Sequence, residues 1–304
     1  MSQRLGTASS STRDATVYLI AKTLQLALSG VSHRSDVRIN LKPGYAAEAS
    51  FVKYLRQDAG GSFNTDIYTH FALYLSGKYD DQRKIATRAS TVITFNYDLV
   101  LDDALRRVEA NPGYELNNAT YDEIKVGYPA VSFLKLHGST NWAICGCNHI
   151  HVLGEKATSD PSLFRSMPRR KCGKPGLRLL LVPPSWDKSE YSGIMQPVWR
   201  KAVEAIQTAT RICVIGYSMP ETDAFFKFLL TLGLAENDHL YKLVVVDWLQ
   251  NTLEQNHTNN IEARWREMLE GVFVSRRFVF HPYGTAQFMQ GSLQYLLRRT
   301  EQIS

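Results

Sequence analysis

Thr94-Phe95-Asn96-Tyr97-Asp98 decides the fold class of this chain. The segment closes an apolar run, Thr91-Val92-Ile93-Thr94, and opens a helical pattern, Leu99-Val100-Leu101-Asp102-Asp103-Ala104-Leu105. A polar cluster where a strand gives way to a helix belongs at the carboxyl edge of a parallel sheet, the edge at which open α/β folds bind ligands. A second apolar run, Val131-Ser132-Phe133-Leu134-Lys135-Leu136, ends on His137-Gly138-Ser139. The two runs are therefore expected to deliver Asn96, Asp98 and His137 to one rim of one sheet. Those residue types suit chemistry on a sugar or a polarised bond. An imidazole titrates near neutral pH and can accept a proton, and an amide offers a donor and an acceptor together.

Working outward, short apolar runs predict further strands at 177–182, 212–215, 243–246 and 278–280. Helical patterns fall between and after them, at 99–109, 197–209, 224–232, 261–269 and 286–299. Strands that are apolar without alternation are covered on both faces, and strands alternating with helices argue a parallel sheet. The fold class expected is α/β, a Rossmann-like doubly wound parallel sheet with an N-terminal helical segment. Residues 1–304 are read as one domain: a mainly helical part over 1–85, a core over 86–285 and a C-terminal helix over 286–304. Helices are expected at 14–29, 46–56 and 66–76, and a small insertion without periodicity at 142–176.

Composition excludes several classes. With 44% hydrophobic and 21% charged residues in 304, the chain can bury a full core. No apolar stretch is long enough to span a membrane, the first residues lack a signal-peptide core, and four cysteines make no disulfide framework. A cytoplasmic protein is expected. The net charge of +6 raises the question of nucleic acid. The densest basic stretch, Arg165-Ser166-Met167-Pro168-Arg169-Arg170-Lys171, reads as a solvated loop or a patch drawing in an anionic small molecule, so nucleic acid is not indicated.

Three blocks carry a resemblance: Thr94 to Asp98, then Leu134-Lys135-Leu136-His137-Gly138-Ser139-Thr140-Asn141-Trp142, then Ile215-Gly216-Tyr217-Ser218-Met219-Pro220-Glu221-Thr222-Asp223. In this order they resemble the signature blocks of the sirtuin-like domain family, and most closely its prokaryotic NAD-hydrolysing branch. The resemblance implies NAD as substrate and cleavage to nicotinamide and ADP-ribose. It also implies a toxic effector of antiphage defence, switched on by a partner protein, a signal ligand or self-association. It places the family's catalytic Asn at Asn96 and its catalytic His at His137. Phe95 stands where deacylating sirtuins carry Gln, which argues against that branch. A catalytically weak module that binds NAD or ADP-ribose, or docks a partner, is the reading from another class.

The remaining candidates are ligand contacts. Asp98 can cap the following helix; the resemblance implies that it faces the nicotinamide carboxamide, and one residue can do both. Gly216 and Ser218 end a buried strand, where a small residue and a hydroxyl let backbone and side chain approach a phosphate or ribose. Asp247 ends the next strand, a common place for an acid that takes ribose hydroxyls. Asp223 can cap a helix or face the cleft.

Cys145-Gly146-Cys147-Asn148-His149-Ile150-His151 invites a zinc reading, with Cys172 as a further ligand. In extended chain the four side chains from Cys145 to His151 span about 20 Å, too far for one ion to take all four, which leaves Cys145, Cys147 and Cys172 with one His as the open alternative. No metal site is expected. The family's first strand leads into a glycine-rich turn that cradles the pyrophosphate. Here only Leu5-Gly6-Thr7-Ala8-Ser9-Ser10 faintly echoes it, with no apolar strand before it. Three explanations stay open: a start further upstream, a rebuilt cradle, or a degenerate site. The expectation drawn from this is poor NAD binding and an empty slot beside the Asn96 strand.

Overall fold

The computed structural model describes residues 16–20, 67–78, 90–122, 124–154, 177–182, 189–217, 219, 223–247, 255–270 and 277–282. Its strands are β1 (Thr16–Ile20), β2 (Ser90–Thr94), β3 (Asn111–Gly113), β4 (Ala119–Tyr121), β5 (Ala130–Lys135), β6 (Gly138–Ile144), β7 (Ile150–Val152), β8 (Arg178–Leu181), β9 (Arg211–Ile215), β10 (Lys242–Val246) and β11 (Phe278–His281). Its helices are α1 (Ile67–Leu75), α2 (Val100–Arg107), α3 (Ser189–Thr208), α4 (Ala224–Ala235) and α5 (Gln255–Leu269).

Seven strands form the main sheet in the order β11-β10-β9-β1-β2-β5-β3. Every pairing in it is parallel. From β1 the chain moves one way through β2 to β5, then returns to the other side of β1 for β9, β10 and β11. That reversal is the doubly wound Rossmann arrangement, and its switch point lies between β1 and β9. The strands are built for it: Val244, Val245 and Val246 are completely buried, as are Ile212 to Ile215. Each such side chain contributes roughly 1.5–3 kcal/mol when fully removed from water.

Two expectations are corrected here. The helix expected over 14–29 contains a strand at Thr16–Ile20. That strand pairs with β2 from Thr16↔Ser90 to Ile20↔Thr94, and with β9 from Thr16↔Arg211 to Ile20↔Ile215. The slot beside the Asn96 strand is therefore filled, by Thr-Val-Tyr-Leu-Ile, whose β-branched and aromatic residues suit a pleated strand. The faint glycine turn at Leu5 to Ser10 and the basic stretch at Arg165 to Lys171 lie outside the described residues, as do the helices expected at 46–56 and 286–299.

The segment after His137 is also more ordered than expected. The end of β6 and all of β7 fall within the span expected to be an irregular insertion, and the two strands pair antiparallel. β8, expected in the main sheet, pairs antiparallel with β6 instead. With β4 these strands make a second sheet of four, order β4-β7-β6-β8. Trp142 of β6 is wholly buried and stands edge-on to the equally buried Tyr114 at 5.2 Å, which joins this sheet to the main core.

Helix α2 opens with Asp102 and Asp103 and closes with Arg106 and Arg107, each pair matched to the dipole end it occupies. The Asp98 carboxylate accepts a hydrogen bond from Val100 N–H at 3.1 Å, so it satisfies the start of this helix. Asp223 does the same for α4 through Phe226 N–H at 3.1 Å.

Candidate functional site

Strand register builds the site. β2 and β5 pair with Thr94 opposite Lys135, and Leu136 N–H extends the ladder to the Thr94 carbonyl at 2.9 Å. Asn96 and His137 each stand two residues beyond that pair, so they occupy equivalent positions on strands spaced about 4.8 Å apart. Gly216 follows β9, Asp247 follows β10 and His281 ends β11 at the same carboxyl rim. The structure thus brings Asn96, Asp98, His137, Gly216 and Asp247 to one edge of one sheet. Ser218 lies outside the described residues.

Asn96 is 8% exposed, and its backbone N–H is held by the Thr94 hydroxyl at 3.1 Å. Its Oδ1 and the Asp98 Oδ2 are shut off from solvent and have no hydrogen-bond partner among the described residues. Both residues line a pocket of about 10 Å³ with Thr94, Tyr68, Asp102 and Lys135. Leu101 and Phe133 complete its lining, and that volume admits about one water.

His137 is equally buried. Its ring meets the Phe95 ring edge-on at 5.0 Å and lies 5.9 Å from the Tyr97 ring. Its carbonyl accepts from Val182 N–H at 2.8 Å, and Trp199 of α3 caps the preceding turn through the Leu136 carbonyl at 2.9 Å. Gly138 carries φ 81, a left-handed conformation that lets β6 leave sharply after the imidazole.

On the β9 side, Gly216 has φ 65 and Met219 φ 50, so the chain turns tightly around the strand end. Tyr217 donates its hydroxyl to Asp223 Oδ2 at 2.7 Å. Burial, then the Asp223 carboxylate, pushes the Tyr217 phenol up, so it stays protonated. Asp223 therefore serves the helix cap and Tyr217. Asp247 is buried, and its N–H reaches the His281 carbonyl at 3.3 Å. Burial and then Lys242 lower the His281 imidazole.

Beneath the rim lies a group that the sequence reading did not single out. Lys135, wholly buried on β5, pairs with the equally buried Asp102 at 3.0 Å. Tyr114 donates to the other oxygen of Asp102, and burial holds that phenol protonated. The signal was present: a lysine inside an apolar run that is covered on both faces must be paired.

Among the described residues no cluster of His, Cys, Asp or Glu is arranged to hold a metal. Cys145 is buried and Cys147 exposed, while Cys172 lies outside the described residues. Both His149 ring nitrogens are engaged, with Thr120 and with Asn118, each at 2.7 Å. No helix among the described residues is long and apolar enough to cross a membrane.

No protein-family model matches the chain, and no curated protein does. Solved structures of sirtuins do align with it. One, determined for the structural basis of sirtuin substrate affinity, is 13% identical over 92% of each chain, with a TM-score of 0.43. A second is a Sir2 bound to an inhibitor, 2'-O-acetyl-ADP-ribose and a deacetylated peptide. It is 14% identical over 92% of this chain and 93% of that one, with a TM-score of 0.42.

Proposed function

We propose that this chain hydrolyses NAD to nicotinamide and ADP-ribose, as a regulated cytoplasmic defence effector of the sirtuin-like kind. One observation supports the reading: Asn96 and His137 each follow by two residues the Thr94–Lys135 pair that ends the β2–β5 register, at the carboxyl rim of a doubly wound sheet. Their sequence blocks support it.

The chemistry balances with water alone. The bond between the nicotinamide nitrogen and the ribose anomeric carbon breaks, its electron pair leaves with the nitrogen, and nicotinamide departs neutral. Water oxygen bonds to the anomeric carbon through an oxocarbenium-like transition state and gives up a proton. Asn96 would hold the water or a ribose hydroxyl, and His137 would take the proton. Asp98 would accept from the nicotinamide carboxamide. Gly216, with its left-handed backbone, would let the chain approach the pyrophosphate at the switch point, with Ser218 beside it. Asp247 would accept from ribose hydroxyls. A partner protein or self-association would supply the trigger.

A second reading has its own observation. The residues after β1, Ala21-Lys22-Thr23-Leu24, contain no glycine before Gly30, although this is where a dinucleotide fold cradles phosphate. That favours a catalytically weak module that binds NAD or ADP-ribose or docks a partner.

The deciding experiment incubates purified protein with NAD and measures released nicotinamide. His137→Ala and Asn96→Ala should each lose about a hundredfold to ten-thousandfold in rate while melting like the parent. Variants that match the parent rate overturn the assignment. A parent that binds NAD in calorimetry without releasing nicotinamide establishes the second reading.

A further inference from the structure

We propose that Lys135 is a positioning residue: its ammonium group locks the Asn96 turn and the His137 turn into one geometry. The inference rests on the NAD-hydrolysing reading for its kinetic consequence, and on the structure alone for its mechanical one.

An ammonium group inside a strand is costly unless each of its protons has an acceptor. Lys135 Nζ reaches three: the Asp98 carbonyl at 2.5 Å, Asp102 Oδ2 at 3.0 Å and Ser139 Oγ at 2.8 Å. The three belong to three segments. Asp98 stands two residues after Asn96, Ser139 stands two residues after His137, and Asp102 lies in the first turn of α2. One side chain thus ties together the two turns that carry the candidate catalytic pair and the helix that follows the first of them.

The group also fixes a direction of donation. Lysine can only donate, so Ser139 Oγ accepts from it and turns its own hydrogen toward the Tyr97 carbonyl, 3.4 Å away. Thr140 N–H reaches the same carbonyl at 3.0 Å. Both turns therefore close on the Tyr97–Asp98 backbone, with Lys135 at the centre of the closure.

Stability alone is a poor account of this arrangement. A buried ion pair is often matched or exceeded by well-packed neutral side chains of the same size. Holding two reacting groups within about half an ångström of a working geometry is a task that rigid supporting hydrogen bonds perform.

The test compares the parent with Lys135→Met and with the double variant Lys135→Met/Asp102→Asn. The double variant removes both charges and keeps an acceptor for Tyr114. Lys135→Met alone leaves the buried Asp102 without a counter-charge, so both melting temperature and kcat fall. The double variant should regain most of the melting temperature. Its kcat for NAD should stay at least about tenfold below the parent, with KM changed less than about threefold. Amide hydrogen exchange at residues 96–98 and 137–140 should remain faster than in the parent, with β10 and β11 unchanged. A kcat that returns to the parent value together with the melting temperature overturns the proposal. So does exchange that is unchanged at the two turns, or that rises uniformly across the sheet. If the parent itself releases no nicotinamide, the NAD reading has failed, and the exchange comparison alone decides the role of Lys135.

Discussion

The Phe95 ring stands edge-on to the His137 imidazole, with centroids 5.0 Å apart and planes inclined at 61°. The same ring stacks on Tyr217 at 5.9 Å and meets Phe226 edge-on at 5.5 Å. Phe95 is thus a wedge between the imidazole that follows β5 and the aromatic pair of Tyr217 and Phe226. Phe95→Ala is expected to destabilise the chain by about 2–4 kcal/mol. It should also lower kcat for NAD by about tenfold, because the imidazole loses its support. Denaturant melts and steady-state kinetics check both, and a parental rate in Phe95→Ala would show that His137 is held by other contacts.

The sequence made the frame of this site legible for a physical reason. β2, β5, β9, β10 and β11 are short apolar runs, β9 and β10 buried almost throughout, and each was expected within one residue of its observed ends. β1 was missed because Val17 to Ile20 runs on into Leu24, Leu26 and Leu28, and a short apolar run does not reveal its period. β6 was missed because it begins Gly-Ser-Thr-Asn, a turn composition, yet Ser139 and Asn141 are wholly buried in it. The placement of Asn96 and His137 just beyond β2 and β5 was readable from the apolar runs that precede them. The pair beneath them was not, since Lys135 and Asp102 lie far apart in sequence and meet only through the β2–α2 turn.

Gly138 sets the exit from the His137 turn. Its φ of 81 is one that an L side chain rarely adopts, and a Cβ there would run into the Leu180 carbonyl on β8. Gly138→Ala must strain the backbone and push the two strands apart, at a cost of at least about 2 kcal/mol. Thermal melting should show a drop of several degrees. An unchanged melting temperature would mean that β6 and β8 separate freely at that point.

His281 gives the rim a pH dependence. Burial, and then the positive charge of Lys242, lower its imidazole below the ordinary value of 6.5. As pH falls below that value the unfolded chain takes up the proton first, so the unfolded state is favoured. The contribution of His281 to stability is therefore complete above about pH 6.5 and is lost as pH falls toward the lowered folded value. His281→Gln should melt with a shallower loss between about pH 7 and pH 5 than the parent. Parallel curves for the two proteins over that range would remove His281 from the acid response.

Asp98 offers two oxygens with two separable tasks. Oδ1 accepts from Val100 N–H at 3.1 Å, while Oδ2 is buried without a partner among the described residues. Asp98→Asn keeps an oxygen for the helix and should change stability by less than about 0.5 kcal/mol. Asp98→Ala removes the cap and should cost about 1 kcal/mol. If the second oxygen receives the nicotinamide carboxamide, both variants lose that acceptor. The asparagine, once oriented for the helix, presents N–H groups to another donor. Both should then raise KM for NAD by about tenfold or more, the effect of leaving one buried donor of the ligand unpaired. Stability and KM thus move independently: the cap follows Asp98→Ala alone, and ligand binding follows both variants. A KM unchanged in both would leave Asp98 as the acceptor for Val100 N–H at the start of α2 and nothing more.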